Sequence, residues 1–340
     1  MLSEPTKIDG ALLGTALTGV GSAAATLEAQ GFDGVVSFEG FNDPFLPLVV
    51  AAGHTTRLEL TTAVAIAFAR NPMVCAQMAN DLQSISRGRF ILGLGTQIRP
   101  HIERRFSQVW SKPNARMREF VRAIRAIWHT WETGDRLDFR GAFYTHTLMP
   151  PFFNPGPNPH GFPRICLAGF GPAMISVAGE VADGWLVHPL NSPSYVQNVA
   201  MPALERGFAR SGRTRERFEI AVQTITMIGS NDEEIERARH LARAQIAFYG
   251  STPAYKVMLD HHGWGDLQPV LHRMTKEGRW GEMTELITDD MLDVIGVSGR
   301  PVEAGRRLRA RNAFAARTHL VLYNQTTPDA VADVVAGFRG

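Results

Sequence analysis

A (β/α)8 barrel, the TIM-barrel form of the α/β class, is the fold that this 340-residue sequence predicts. Three observations carry that reading. Eight short apolar runs lack polar alternation, as expected of parallel strands covered on both faces. Helical segments separate them in sequence, so strand and helix alternate along one continuous chain. Several of those helices open on Asn-Pro, Asp-Pro, Ser-Pro or Gly-Pro, where proline sits well because a first-turn N–H has no intrahelical partner. Barrels of this length are routinely one domain, so residues 1–340 are read as a single unit. A doubly wound open sheet is the other architecture the alternation allows.

The strands read in order as Ile8–Leu13, Gly34–Phe38, Leu58–Ala67, Phe90–Gly95, Arg164–Ala168, Gly184–His188, Phe218–Ile228 and Thr318–Tyr323. The helices between them read as Val20–Gln30, Pro44–His54, Pro72–Arg87, Glu103–Trp131, Pro172–Val181, Pro193–Arg210, Asp232–Phe248 and Pro301–Arg311, and Pro328–Phe338 closes the chain. Two segments break the pattern. Residues 137–160 carry DFRGAFYTHT and the proline-rich PPFFNPGPNP, which predict a small hairpin and an extended loop before strand five. Residues 250–295 are polar, aromatic and irregular, and predict a lid-like insertion over the barrel mouth before strand eight.

Composition narrows the function classes. A hydrophobic content of 44% suits a large core, and a net charge of +2 gives no electrostatic case for nucleic acid or membrane. No signal-like N-terminus and no apolar run of spanning length is present, so a cytoplasmic location is expected. Cys75 and Cys166 lie far apart in apolar runs and read as buried free thiols. No His-x-His pair occurs, and adjacent His261 and His262 point in different directions, so no metal is expected. A nucleophile elbow, a Walker A loop and a complete dinucleotide fingerprint are all missing.

The segment FPRICLAGFGPAMISVAGEVADGW, from Phe162 to Trp185, is the most informative. An apolar strand runs into Gly169-Phe170-Gly171-Pro172 and then into a helix. Glycines let the backbone approach a ligand, and a helix N-terminus offers free N–H groups and a positive dipole end to an anion. Other marked residues also fall at strand ends, where barrel enzymes keep their sites. They are FEGFNDP after strand two, TTAVAIAFARNP at strand three, LGLGTQ at strand four and His188 at strand six.

Taken together, GFDGVVSFE, LTTAVAIAFARNP, RGRFILGLGTQ, the DFRGAFY hairpin and PRICLAGFGPAM…AGEVADGW resemble the bacterial luciferase-like superfamily, in its branch using the deazaflavin coenzyme F420. The resemblance spans nearly the whole chain. It implies a non-proline cis peptide at Ala63–Val64 behind the cofactor ring, and backbone N–H groups of Gly169, Phe170 and Gly171 on the cofactor phosphate. It also implies Thr96 and Gln97 near the ribityl chain and Glu39 near the reactive face of the ring.

Departures from the superfamily's sugar-phosphate dehydrogenases narrow the expectation. Gly40 stands where they carry a histidine, Ile98 where they carry an acid, and VHPLNS lacks their phosphate-binding lysine and threonine. The expected function is hydride transfer between F420 and a small organic substrate, with Glu39 and His188 as catalytic candidates. A histidine titrating near neutrality would suit that work. Phe38, Phe41, Phe68 and Tyr323 are the expected substrate pocket. An FMN-dependent two-component monooxygenase and a non-catalytic ligand-binding relative are the alternatives. A homodimer, through helices beside strands two and three, is expected by resemblance.

Overall fold

The computed structural model describes residues 6–12 and 15–340. Leu13, the expected end of the first strand, lies outside the described residues. The strands are β1 (Lys7–Ala11), β2 (Gly34–Ser37), β3 (Glu59–Thr62), β4 (Ala65–Ile66), β5 (Phe90–Gly95), β6 (Phe139–Arg140), β7 (Thr145–His146), β8 (Arg164–Ala168), β9 (Gly184–Val187), β10 (Glu219–Ile228), β11 (Val297–Gly299) and β12 (Arg317–Val321). Parallel pairing runs β1-β2-β3-β5-β8-β9-β10-β12 and returns to β1, which closes an eight-stranded barrel. The expected (β/α)8 fold is therefore present, and the open doubly wound sheet is not.

Two cores hold it. An outer layer between strands and helices includes Leu60, Leu92, Phe120, Ile127 and Trp185, all buried. Inside the barrel, Val36, Ala63, Ile91, Cys166, Leu186 and Ala221 form a separate cluster. Successive residues of a strand face opposite sides, so Phe38 and His188, each two residues beyond an inward-facing neighbour, rise at the top of the same lumen. At the bottom, the first residues of five strands meet as charges. Arg317 bonds Asp9 at 2.6 and 2.7 Å and Glu219 at 2.8 Å, and it also contacts Glu59. Arg164 and Lys7 reach Glu59, each at 2.7 Å.

The structure departs from the sequence reading in several places. The helix expected over Glu103–Trp131 is two helices, Arg99–Arg104 and Pro113–Thr133. Pro113 disfavours helical backbone at the residue before it, and Lys112 adopts φ 34°, which ends any continuous helix there. The expected third strand is split into β3 and β4 around the Ala63–Val64 peptide, which is cis. The hairpin forms as β6 and β7, with the Glu119 carboxylate accepting the N–H groups of Ala142, Phe143 and Tyr144 at 2.7–2.9 Å. The insertion read as irregular is mostly helical: Lys256–His261, Leu267–Glu277, Trp280–Thr284 and Asp289–Ile295. Its apolar residues, among them Met258, Leu271, Met274 and Leu292, pack with Leu190, Tyr195 and Ile225 into a satellite core beside the barrel mouth. The short strand β11, which pairs with the end of β10, carries no apolar run and was not visible in the sequence. Among the described residues no helix is long and apolar enough to cross a membrane.

Candidate active site

The glycine turn after β8 is built to expose donors. Trp185 Nε1 donates to the Gly169 carbonyl at 2.9 Å, and the Tyr195 hydroxyl donates to the Phe170 carbonyl at 2.6 Å. In a trans peptide the following N–H points away from the carbonyl. The N–H groups of Phe170 and Gly171 are thus directed away from those two anchors, and neither makes a hydrogen bond within the described residues. A Cβ on Gly169 would meet Met174 Cγ at 2.9 Å, whereas a Cβ on Gly171 would meet nothing within 4 Å. The turn is tight on one side and open on the other. It leads into the helix Pro172–Val181, whose N-terminus adds a positive dipole end.

Across the barrel mouth, the cis Ala63–Val64 bulge is held from both sides. Ala63 N–H donates to the Ser37 carbonyl at 2.7 Å, and Glu39 N–H donates to the Val64 carbonyl at 3.2 Å. The Glu39 carboxylate accepts the Ile66 N–H at 2.7 Å and pairs with Arg70 at 2.5 Å. Arg70 in turn bonds Asp43 at 2.7 Å. Glu39 was expected to polarise the substrate or exchange a proton with it. Its nearly buried carboxylate ties the loop after β2 to the strand segment after the bulge, a contact suited to positioning. Gly40, the departure noted above, has a physical reason: the Phe38 ring folds over it, and a Cβ there would meet that ring at 2.6 Å.

His188 lies at the centre of an aromatic cluster. Its ring centroid is 4.6 Å from Tyr249, 4.5 Å from Tyr255 and 5.5 Å from Phe170. Burial among these rings pushes its pKa down to about 3, not the near-neutral value expected. Its Nδ1 accepts the Leu190 N–H at 3.0 Å, so in the neutral ring the proton sits on Nε2. Nε2 has no partner among the described residues and is available as a donor.

The remaining expected residues divide. Thr96 and Gln97 stand at the end of β5, where the Thr96 hydroxyl donates to the Gln97 carbonyl at 2.9 Å and Gln97 adopts φ 59°. Tyr323 stands just past β12, with its hydroxyl 3.0 Å from that of Tyr249. Phe38 is partly exposed at the mouth, but two members of the expected pocket are elsewhere. Phe41 is 96% exposed on the loop, where it has nothing to wall. Phe68 is fully buried against Trp110, with the Arg116 guanidinium 4.8 Å over its ring, so it belongs to the packing behind the site.

Sequence reasoning missed Trp185, Tyr195, Tyr249 and Tyr255. Trp185 lay inside the quoted ADGW motif, but its action through a carbonyl leaves no pattern. Tyr255 comes from the helical insertion, which docks through His262 on Ser192 at 2.7 Å and His261 on Ser194 at 3.0 Å.

Comparison with known proteins agrees with this architecture. The family model for luciferase-like monooxygenases matches residues 3–318. An uncharacterized protein of Mycobacterium tuberculosis is 49% identical over 333 residues, covering 98% of each chain. A 5,10-methylenetetrahydromethanopterin reductase of Archaeoglobus fulgidus is 27% identical over 89% of this chain and 88% of its own. Among solved structures, the coenzyme F420-dependent tetrahydromethanopterin reductase of Methanopyrus kandleri superposes with a TM-score of 0.78 at 18% identity, covering 98% of this chain and 97% of that one. Barrel, cis bulge and phosphate-type turn occur together in a chain that this family model matches almost from end to end, and the protein belongs to the luciferase-like monooxygenase family.

Proposed function

We propose that the protein is an F420-dependent oxidoreductase that passes a hydride between the deazaflavin and a small organic substrate. The observation that carries this reading is the turn at Gly169–Gly171, whose carbonyls are anchored and whose N–H groups are free. The chain's residues fit such a cofactor. Phe170 and Gly171 would hold its phosphate, the Ala63–Val64 bulge would back its ring, and Ala63 and Ala168 keep the top of the lumen small-sided.

When bound, the deazaflavin supplies a ring carbon that takes or gives hydride. The protein's own part is to bind, to orient and to exclude water. His188, neutral and proton-bearing at Nε2, donates a hydrogen bond to a substrate oxygen. Glu39 and Arg70 fix the bulge, and Tyr249 and Tyr255 cover His188.

The deazaflavin is favoured over FMN by a cavity of about 340 Å³ at the start of helix Pro172–Val181, lined in part by Asn114, Ser176, Arg118, Arg206 and Arg210. Arg118 is paired with Glu180, while Arg206 has no acidic partner among the described residues. The phosphate of F420 is a diester that continues into an anionic carboxylate tail, whereas FMN ends at its phosphate. A cation-lined space beyond the turn suits the longer anion.

Equilibrium titration of the apo-protein with F420 and with FMN, followed by fluorescence, tests the reading. Binding of F420 at least tenfold tighter than FMN is expected. A preference for FMN would move the function to flavin oxygen chemistry. Binding of neither would remove the cradle from the argument and favour a non-catalytic role.

A further inference from the structure

The helical insertion touches the candidate site through one ring and is tied to the barrel beside it through two others. The Tyr255 ring centroid lies 4.5 Å from His188 and 4.3 Å from Phe170. The short helix Lys256–His261 follows, and at its end His261 Nε2 meets Ser194 Oγ at 3.0 Å and His262 Nε2 meets Ser192 Oγ at 2.7 Å. Both serines belong to the stretch of chain that runs from His188 to Tyr195, the residue that anchors the Phe170 carbonyl. The insertion and the glycine turn therefore share one support.

The surroundings of the histidine pair decide its response to acid. The Ser192 hydroxyl accepts the Tyr195 N–H at 3.0 Å, and its own proton can go to the His262 Nε2 lone pair when that ring is neutral. A protonated ring has no lone pair to receive it. The charges that face His262 are of one sign. Arg311, at the end of the helix Pro301–Arg311, donates to the Asn191 and Ile295 carbonyls at 3.2 and 2.9 Å and has no carboxylate partner among the described residues. Burial first, and then the charges of His261 and Arg311, hold the pKa of His262 below the ordinary histidine value. Asp260, the one carboxylate in residues 253–264, is paired with Lys256. The other faces are neutral rings: Trp264 stacks on His262 at 4.6 Å, and Tyr195 meets His261 edge-on at 5.9 Å.

We propose that His262 on Ser192, with His261 on Ser194 beside it, is an acid-released latch: its protonation frees residues 253–264 from the barrel, lifts Tyr255 off His188 and Phe170, and opens the candidate site to water. The direction follows from linkage. A group that binds its proton more weakly when docked than when free drives undocking as the proton is added. The latch stands on these contacts alone, whereas its effect on a bound cofactor rests on the oxidoreductase reading.

Hydrogen exchange of the cofactor-free protein, read by mass spectrometry with labelling times matched to the intrinsic rate at each pH, tests the latch apart from any ligand. Residues 253–264 should lose about fivefold in protection between pH 7.5 and 5.5, while β5 and β8 keep theirs. His262→Gln, at a half-buried position, can still bond Ser192 but cannot be protonated, and should leave the segment equally protected at both pH values. His261→Gln removes one of the opposing charges and should reduce the loss without abolishing it. In equilibrium dialysis with F420, the parent should lose about fivefold more affinity than His262→Gln over the same range. Protection that does not change with pH in the parent, or is lost equally in His262→Gln, would overturn the proposal. So would an F420 affinity with the same pH dependence in both proteins. If the segment responds as expected while F420 binds at neither pH, the latch stands and the proposed cofactor falls.

Discussion

His188 shows how environment fixes what a residue can do. An isolated imidazole titrates near pH 6.5, yet the rings of Phe170, Tyr249 and Tyr255 hold this one neutral down to about pH 3. The unfolded chain therefore takes up the proton first, and this group withdraws stability as pH falls below about 6.5. In the folded protein it is a hydrogen-bond donor across the neutral range, with no titration there. The rate against pH should accordingly show no limb from His188 between pH 5 and 8, and His188→Asn should lower kcat/KM about 100-fold without changing the shape of that profile. A limb near pH 6.5 that vanishes in His188→Asn would restore a proton-exchange role. Glu39→Gln separates positioning from chemistry at the neighbouring position. Losing the carboxylate charge that pairs with Arg70 should weaken cofactor binding and lower stability by about 2–4 kcal/mol in urea titrations, discounted from a fully buried pair because Arg70 is partly exposed. A variant that binds cofactor normally but does not turn over would give Glu39 the chemical role instead.

At the scale of elements, boundaries marked by local chemistry were legible and boundaries set by tertiary contact were not. Pro172–Val181 and Pro301–Arg311 were read to the residue because a proline announces each start, and β5 and β8 because each is a compact apolar run that begins at or just after an arginine. The insertion at 250–295 hid its helices because the apolar side of each faces a satellite core rather than the barrel, and each helix is too short for periodicity to show. The turn at Gly169–Gly171 was found from its glycines, but its orientation is decided by Trp185 from β9 and by Tyr195 from the following helical segment. No spacing rule connects a side chain to a carbonyl 16 or 25 residues away. Tyr195→Phe isolates that contribution. Removal of one buried hydrogen bond costs about 1 kcal/mol, so F420 affinity should fall about fivefold with folding nearly unchanged. An unaltered dissociation constant would show that the turn holds its shape without the anchor.

The whole barrel is closed at its base by charge and opened at its top by small residues. Arg317 joins β12 to β1, β3 and β10, while Arg164 joins β8 to β3 and β10, so one network ties together strands far apart in sequence. Burial, the largest single influence, would raise the Asp9, Glu59 and Glu219 carboxyls, but the Arg317 charge together with the surrounding cations and hydrogen bonds (His319 at Asp9, Lys7 and Arg164 at Glu59, Arg164 at Glu219) outweighs it and holds all three below their ordinary values. Such groups contribute stability above their unfolded pKa, near 3.8 for Asp9 and 4.5 for the glutamates, and that contribution is lost as pH falls through the lower folded values. Urea midpoints should therefore decline gently below about pH 6.5, where His188 contributes, and drop steeply below pH 4, where the carboxylates join it. Arg317→Met leaves three buried or half-buried carboxylates without their common partner, and should cost about 3–5 kcal/mol at pH 7. The same variant should lose less on acidification than the parent, because its carboxylates no longer gain from ionising in the folded state. Two curves that stay parallel between pH 7 and 3 would mean that acid unfolding begins elsewhere, and would separate the base of the barrel from the stability of the site it supports.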